Sequence, residues 1–463
     1  MDRFREAACL GLALALSACS GGQGAIGTAN SASANGNPTT VARLAVRPAT
    51  VALFQPLQGI LPYPTDLHFA GSTDGTLNIQ PENALPTNQL AVNTLDGFST
   101  TAVIRARFGG PLDPSSFTPQ SVVVLQVTID NTTKATTSVV RPLVPGVDYT
   151  TGLGPEATVG NTILEIRPTH PLVPSTGTTN NGYLVLLTRG VTDVSGKPVT
   201  ADSDYANIKA ALPTCSAIIN DSLHAICQST GAQLQIARQM GLNPADIVLS
   251  FSFSTESIAD SLVAIEKTAT RQPLTVHNTG LTTAQANPHL SGHATIYVGT
   301  LSIPYYLSRM APLSGYWQGN PSPLDASSRT LTRFNPLPVP TETLQIPVLV
   351  TVPNANSAGG GVKPTGGKWP VLIYQHGFGR NRTDMLAVAD SFADSGFVVV
   401  AIDLPLHGVT DPTSPLYASG ANPVYAGVLS SGTGSIERTF DLDVRNNVTG
   451  AQGADGHIDA SGA

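Results

Sequence analysis

The sequence predicts a β-rich N-terminal region, organised as a sandwich, followed by the opening of a parallel α/β domain. Three observations predict it. Short apolar runs broken by turn residues fill positions 41 to about 200. A strand–helix–strand pattern with two wholly apolar strands occupies positions 370–403. The composition is that of an exported, turn-rich β protein: 44 glycines, 36 prolines and only 12% charged residues, roughly half the usual share of about 25%. The net charge of −7 argues against nucleic acid as a partner.

At the N-terminus, Arg3 and Arg5 precede an apolar run, Ala7 to Leu16, that is too short to span a bilayer as a stable helix. The run ends in Leu16-Ser17-Ala18-Cys19, which resembles the lipobox of bacterial lipoproteins. The resemblance implies cleavage before Cys19 and acylation of its thiol and new amino group. Several acyl chains give stable anchoring where one gives only marginal binding. An ordinary secretory signal with an incidental cysteine is the competing reading; the order of basic start, apolar run, small residues and Cys favours the lipoprotein. Ser20, in place of Asp, implies the outer membrane by analogy with lipoprotein sorting. Residues 1–19 thus read as a signal peptide. Residues 20–40, mostly Gly, Ser, Ala, Asn and Thr, cannot bury enough surface to offset their chain entropy and read as a flexible tether.

Residues 41–340 read as the β-rich region. Val122–Val127, Thr162–Ile166 and Tyr183–Leu187 are strand-like, and Leu112-Asp113-Pro114, Pro145-Gly146 and Ser195-Gly196-Lys197-Pro198 are turns. Strands at this spacing suggest a sandwich. Ala232–Met240 reads as a helix ended by Gly241. In a second helix, Ile258, Leu262, Ile265 and Ala269 are spaced for one apolar face. Cys9 leaves with the signal, so Cys215 and Cys227, twelve apart, are expected to pair in a compartment where disulfides persist. With only His224 between them they fall short of a four-ligand metal site.

Two stretches carry a more specific resemblance: "FQPLQGILPYPTDLHFAGSTDGTLNI" from Phe54 and "VNTLDGFSTTAVIRARFGGPLDPSSF" from Val92. Together they resemble the N-terminal domain of the bacterial virulence-factor lipase family, surface lipases and lysophospholipases carried as lipoproteins. Pro168 to Pro198 resembles bacterial Ig-like modules, whose common jobs are spacing and adhesion. Asp66 and Asp96, beside Thr and Gly in these motifs, are read as backbone caps without a catalytic role.

Residues 341–463 read as the N-terminal part of an α/β-hydrolase domain. Leu344–Pro353 is an extended strand. Val371-Leu372-Ile373-Tyr374 is a continuous apolar strand, as expected when both faces are covered. His376-Gly377-Phe378-Gly379 ends it, and Asn381-Arg382-Thr383-Asp384 can cap the helix carrying Met385, Val388, Ala389, Phe392 and Ala393. Gly396 stops that helix and a second buried strand, Phe397–Ile402, ends at Asp403. Strand, His-Gly-x-Gly, helix, strand, Asp resembles the early sheet of an α/β-hydrolase, whose loop after the third strand supplies a backbone N–H to the oxyanion hole. The resemblance implies Phe378 as the donor through its N–H. It gives Gly377 and Gly379 the role of shaping the loop, and His376 that of orienting it.

No G-x-S-x-G nucleophile elbow is present; Gly71-Ser72-Thr73-Asp74-Gly75 has the glycines but the wrong centre. In this fold the triad runs Ser, then acid, then His along the chain. Asp403 and His407 come too early for it. All three members are therefore expected beyond Ala463, and the chain is expected to lack its triad. No cofactor is expected. Asp455-Gly456-His457-Ile458-Asp459 lacks the ligand ladder of a calcium loop and reads as a turn, so no metal is expected. Residues 404–436 read as a lid, an acyl-chain wall or a surface loop. The functional expectation is a surface lipoprotein whose full-length form hydrolyses acyl-glycerol or lysophospholipid esters. The alternative is a non-catalytic adhesion lipoprotein with a vestigial hydrolase segment.

Overall fold

Fourteen strands among the described residues form three sheets. The structure is a computed structural model that describes residues 49–79, 91–155, 160–218, 220–312 and 315–440. The signal, Cys19, the tether and the Asp455–Asp459 loop lie outside the described residues.

The first sheet is β5 (Tyr149–Leu153), β6 (Thr162–Pro168), β2 (Ile104–Phe108), β1 (Val51–Ala52) and β8 (Thr200–Ala201), in that spatial order. The second is β4 (Thr136–Pro142), β3 (Val122–Ile129), β7 (Asn181–Thr188) and β9 (Ile247–Ser254). They share one core. Ile104, Phe108, Leu164 and Tyr149 of the first meet Val122, Tyr183, Val185 and Phe253 of the second. Tyr149 spends its hydroxyl on the Val122 carbonyl at 2.9 Å, which satisfies the one polar atom it brings into that core.

In the second sheet β7 and β9 are buried on both faces, and the sequence shows why. Alternation would suffice for a one-faced strand, but β7 reads Gly-Tyr-Leu-Val-Leu-Leu. Leu184 and Leu186 point away from the sandwich core and pack with Leu234, Ile236 and Ala237. Those three lie on a helix, α2 (Asp221–Gln239), capped by Asn220 and followed by Gly241 at φ +77°. Each such buried side chain contributes about 1.5–3 kcal/mol. A disulfide joins Cys227 of α2 to Cys215, which follows α1 (Ser203–Ala210).

α3 (Asp260–Thr268) departs from its pattern. None of its residues is buried; Leu262 is 63% exposed, and Ile258 just before it 60%. Its apolar stripe does not face a core, because the helix is a connector between sheets. Its first turn is tied by the Gly177 N–H, which donates to Asp260 at 2.9 Å.

The third sheet is β10 (Thr275–Thr282), β11 (Ala294–Tyr305), β12 (Glu342–Pro353), β14 (Val398–Ile402) and β13 (Val371–Gln375), in that order. It therefore begins well before position 341: two strands from the region read as part of the front complete it. A one-turn helix, α4 (Thr283–Ala286), links β10 and β11. β13 and β14 run parallel, Val371 opposite Val398 and Gln375 opposite Ile402; the other pairs are antiparallel. α5 (Leu386–Asp394) lies between β13 and β14, and its Leu386, with Met385 just before it, packs against Ile296, Leu349, Val399 and Ala401. Only that face of β13 is covered. Ile373 is 82% exposed and Val371 58%. The apolar run of β13 does not report two covered faces, because the strand sits at the sheet edge with one face open.

Candidate active site

The candidate site is the corner where β13 ends. Gly379 takes φ +71°, a left-handed conformation that costs a residue with a Cβ about 1–2 kcal/mol. The Arg380 N–H closes the turn on the Gly377 carbonyl at 3.2 Å. A Cβ at Gly377 or Gly379 would meet nothing within 4 Å, so the corner faces open space. Phe378 is 85% exposed. Among the described residues no acceptor takes the N–H of Gly377 or Phe378, whereas the Gly379 N–H donates to Nε2 of His407 at 3.1 Å. Two adjacent open amides on a glycine-bearing turn are groups that stabilise a developing negative charge. A groove of about 640 Å3 runs beside the corner, sharing Arg380 with it and lined by Leu290, Tyr374, Leu386 and Leu416 among others.

His376 lies beneath the corner, 3% exposed. Its Nε2 accepts the Leu404 N–H at 3.0 Å, so Nδ1 carries the proton and donates to the Gly377 carbonyl at 2.8 Å. His407 is engaged in the same way: Nε2 accepts from Gly379 and Nδ1 donates to the Pro405 carbonyl at 2.9 Å. Both nitrogens of both rings are occupied, which leaves neither free to act as a base.

Asp403 is equally committed. It is fully buried and accepts the Arg382 N–H at 2.6 Å as well as the Arg382 guanidinium. That guanidinium also grips Glu437 with two nitrogens, at 2.6 and 2.7 Å. Burial alone would work against the charge on Arg382; Tyr425, Glu437 and Asp403 reverse this and hold it firmly protonated. Glu437 in turn accepts the N–H groups of Val409 and Ala418, at 3.0 and 2.8 Å. Residues 404–436 are therefore no loose surface loop. Leu416, Ala418, Tyr425 and Leu429 join the core under α5, and the acid–arginine cluster pins both ends.

The buried pairing of Arg382 with Glu437 escaped sequence reasoning, and His407 was weighed only as a triad member, not as an acceptor for the Gly379 N–H. Arg382 sits in an Asn-Arg-Thr-Asp run that reads as a helix start, and Asn381 does accept the Thr383 N–H at 2.9 Å. The available signal was Glu437-Arg438, adjacent charges that follow the uncharged stretch 412–436.

The front motifs carry fasteners. Asp66 accepts the N–H and hydroxyl of Ser254 at 2.7 and 2.8 Å. Asp96 accepts the N–H and hydroxyl of Ser257 at 2.8 and 2.7 Å and the Arg333 N–H at 2.6 Å. Both cap backbone, but of segments far along the chain. Burial pushes the Asp66 carboxyl up to about 6, against the pull of Lys134 and the Ser254 bonds. Gly97, next to Asp96, is required for this approach: a Cβ there would lie 2.4 Å from the Thr255 backbone.

No group of three or more His, Cys, Asp or Glu among the described residues could hold a metal ion. No helix among them is long and apolar enough to cross a membrane. Residues 61–284 match the bacterial virulence factor lipase N-terminal family, and residues 341–405 match the family of platelet-activating factor acetylhydrolase, isoform II. Neither the curated proteins nor the solved structures contain a match.

Proposed function

From a chain of the bacterial virulence factor lipase type, with an acetylhydrolase-like segment behind its N-terminal domain, we propose a hydrolase of carboxylic esters in lipids, acyl-glycerols or lysophospholipids. One observation carries the reading: the open Gly377 and Phe378 N–H groups stand at the end of β13, inside the segment matched to the acetylhydrolases. An ester carbonyl oxygen placed there gains donors where its negative charge develops, typically the largest single contribution to acyl transfer. Attack in such a hydrolase comes from a serine with a histidine base, and no residue among 1–463 is assigned to either role. His376 and His407 do not fill the base role, since their ring nitrogens serve the loops. The third sheet is read as the early part of an α/β-hydrolase sheet, with the open edge of β13 as the place where further strands add. The front sandwich is read as an Ig-like spacer.

The protein works at the bacterial outer membrane, held by acyl chains on Cys19; the small-residue run ending in that cysteine supports this. The activity is tested with p-nitrophenyl butyrate, p-nitrophenyl palmitate and lysophosphatidylcholine, using protein purified as its gene encodes it. Turnover above a mock preparation on at least one is expected. Failure on all three overturns the reading. Radiolabelled palmitate should mark the wild type and not Cys19→Ser; equal labelling removes the anchor.

A further inference from the structure

We propose that His407 is a positioning residue for this corner: its Nε2 takes up the Gly379 N–H and so turns the loop to leave the Phe378 and Gly377 N–H groups open to a substrate oxygen. The inference rests on the reading of the corner as an ester-binding site and deepens it.

The two loops brace each other reciprocally. His376, on the first, accepts the Leu404 N–H of the second at 3.0 Å; His407, on the second, accepts the Gly379 N–H of the first at 3.1 Å. The rings lie 5.0 Å apart, centre to centre, and the Phe378 ring meets His407 edge-on at 5.6 Å. Neutral imidazole suits this task because it offers one acceptor and one donor in a rigid plane. Here the donor is spent locally, on the Pro405 carbonyl, so the acceptor is aimed across the gap.

The backbone around His407 is held where it would not settle by itself. Leu406 takes φ +66°, a conformation that persists in a residue with a Cβ only when its surroundings enforce it. The enforcement is visible. The Leu406 N–H donates to the Arg438 carbonyl at 2.8 Å, and the Val409 N–H to Glu437 at 3.0 Å. At Gly408 a Cβ would lie 2.6 Å from Glu437 Oε2. The buried Arg382–Glu437 pair therefore fixes 406–409, which fixes His407, which fixes Gly379. Were the Gly379 N–H not taken, three consecutive amides would compete for one oxygen, and the turn would lose its link to the second loop.

The experiment follows the Gly379 amide. Residues 1–463 contain two Phe-Gly pairs, Phe108-Gly109 and Phe378-Gly379. Labelling Phe carbonyls with 13C and Gly amides with 15N therefore isolates Gly379, with Gly109, bonded to the Val51 carbonyl at 2.9 Å, as the internal control. Loss of one such bond should speed Gly379 hydrogen exchange about five- to tenfold in His407→Phe and His407→Ala. His407→Gln, whose carbonyl reaches near the Nε2 position, should restore it to within about twofold of wild type, with Gly109 constant throughout. The wild-type His407 ring should show a bare Nε2 and a protonated Nδ1 by 15N shifts. In ester turnover, His407→Phe should lower kcat with KM unchanged, and the glutamine variant should recover it.

Unchanged Gly379 exchange in His407→Phe, a proton on Nε2, or an unchanged kcat in that variant overturns the proposal. If the variants fail to fold, Gly109 exchange reports it and the wild-type ring signature decides. A wild type that hydrolyses no ester, yet shows the bare Nε2 and a slow Gly379, removes the functional reading and leaves the brace.

Discussion

The front sandwich and the third sheet each hold a buried arginine against carboxylate, and they use it differently. In the front, Arg333 is 2% exposed and sits with Asp96, whose oxygens also accept three other donors. Arg333 there helps fasten residues already tied by backbone bonds. In the back, Arg382 is fully buried and is the common partner of Asp403 and Glu437. Without it two carboxylates would face each other in the interior. The front cluster closes a sandwich; the back cluster holds loops around a corner it leaves open. Rigidity and exposure are thus combined at one place, the end of β13, which is what a preorganised site requires.

The two arginines differ most in what their loss should cost. Arg382→Met removes the guanidinium shared by two buried carboxylates, leaving them only backbone donors, and should cost about 3–5 kcal/mol. Arg333→Met leaves Asp96 with its serine and backbone donors and should cost roughly 2 kcal/mol. Urea unfolding of both variants measures this. A larger loss at Arg333 than at Arg382 would reverse the assignment of the two clusters.

A smaller effect sharpens the front half. Asp66, with its carboxyl raised from 3.8 to about 6 by burial, binds its proton more tightly folded than unfolded. Stability from this group is therefore gained as pH falls through 6 toward 3.8 and is absent above 6. Relative to Asp66→Asn, the wild type should gain roughly 2–3 kcal/mol between pH 7 and pH 4. Thermal melts of both proteins across that range check it; a constant difference would mean Asp66 is not desolvated.

What the sequence made legible was local. Val371–Tyr374, the cap at Asn381, the stop at Gly396 and the strand to Ile402 follow from residue type and spacing, and the parallel pairing of the two strands follows from the helix between them. Cys215 and Cys227 were legible from their number and separation. What was hidden was choice of partner. Arg382 meets Glu437 across 55 residues and Asp66 meets Ser254 across 188; nothing in a window of ten residues encodes either. Exposure was hidden for a related reason. An apolar run reads the same whether its second face is covered, as in β7, or open, as in β13, and the stripe of α3 reads the same beside a core or beside solvent. The start of the third sheet at Thr275 was hidden because β10, Thr-Val-His-Asn-Thr-Gly-Leu-Thr, is a largely exposed edge strand with no apolar run.

Phe378→Pro deletes the open N–H at an exposed position, at little cost to packing. In the protein as its gene encodes it, kcat for p-nitrophenyl butyrate should fall about 100- to 1000-fold with the melting temperature unchanged. A kcat within about threefold of wild type, with the fold intact, would contradict the assignment of this corner as the place where ester charge is stabilised.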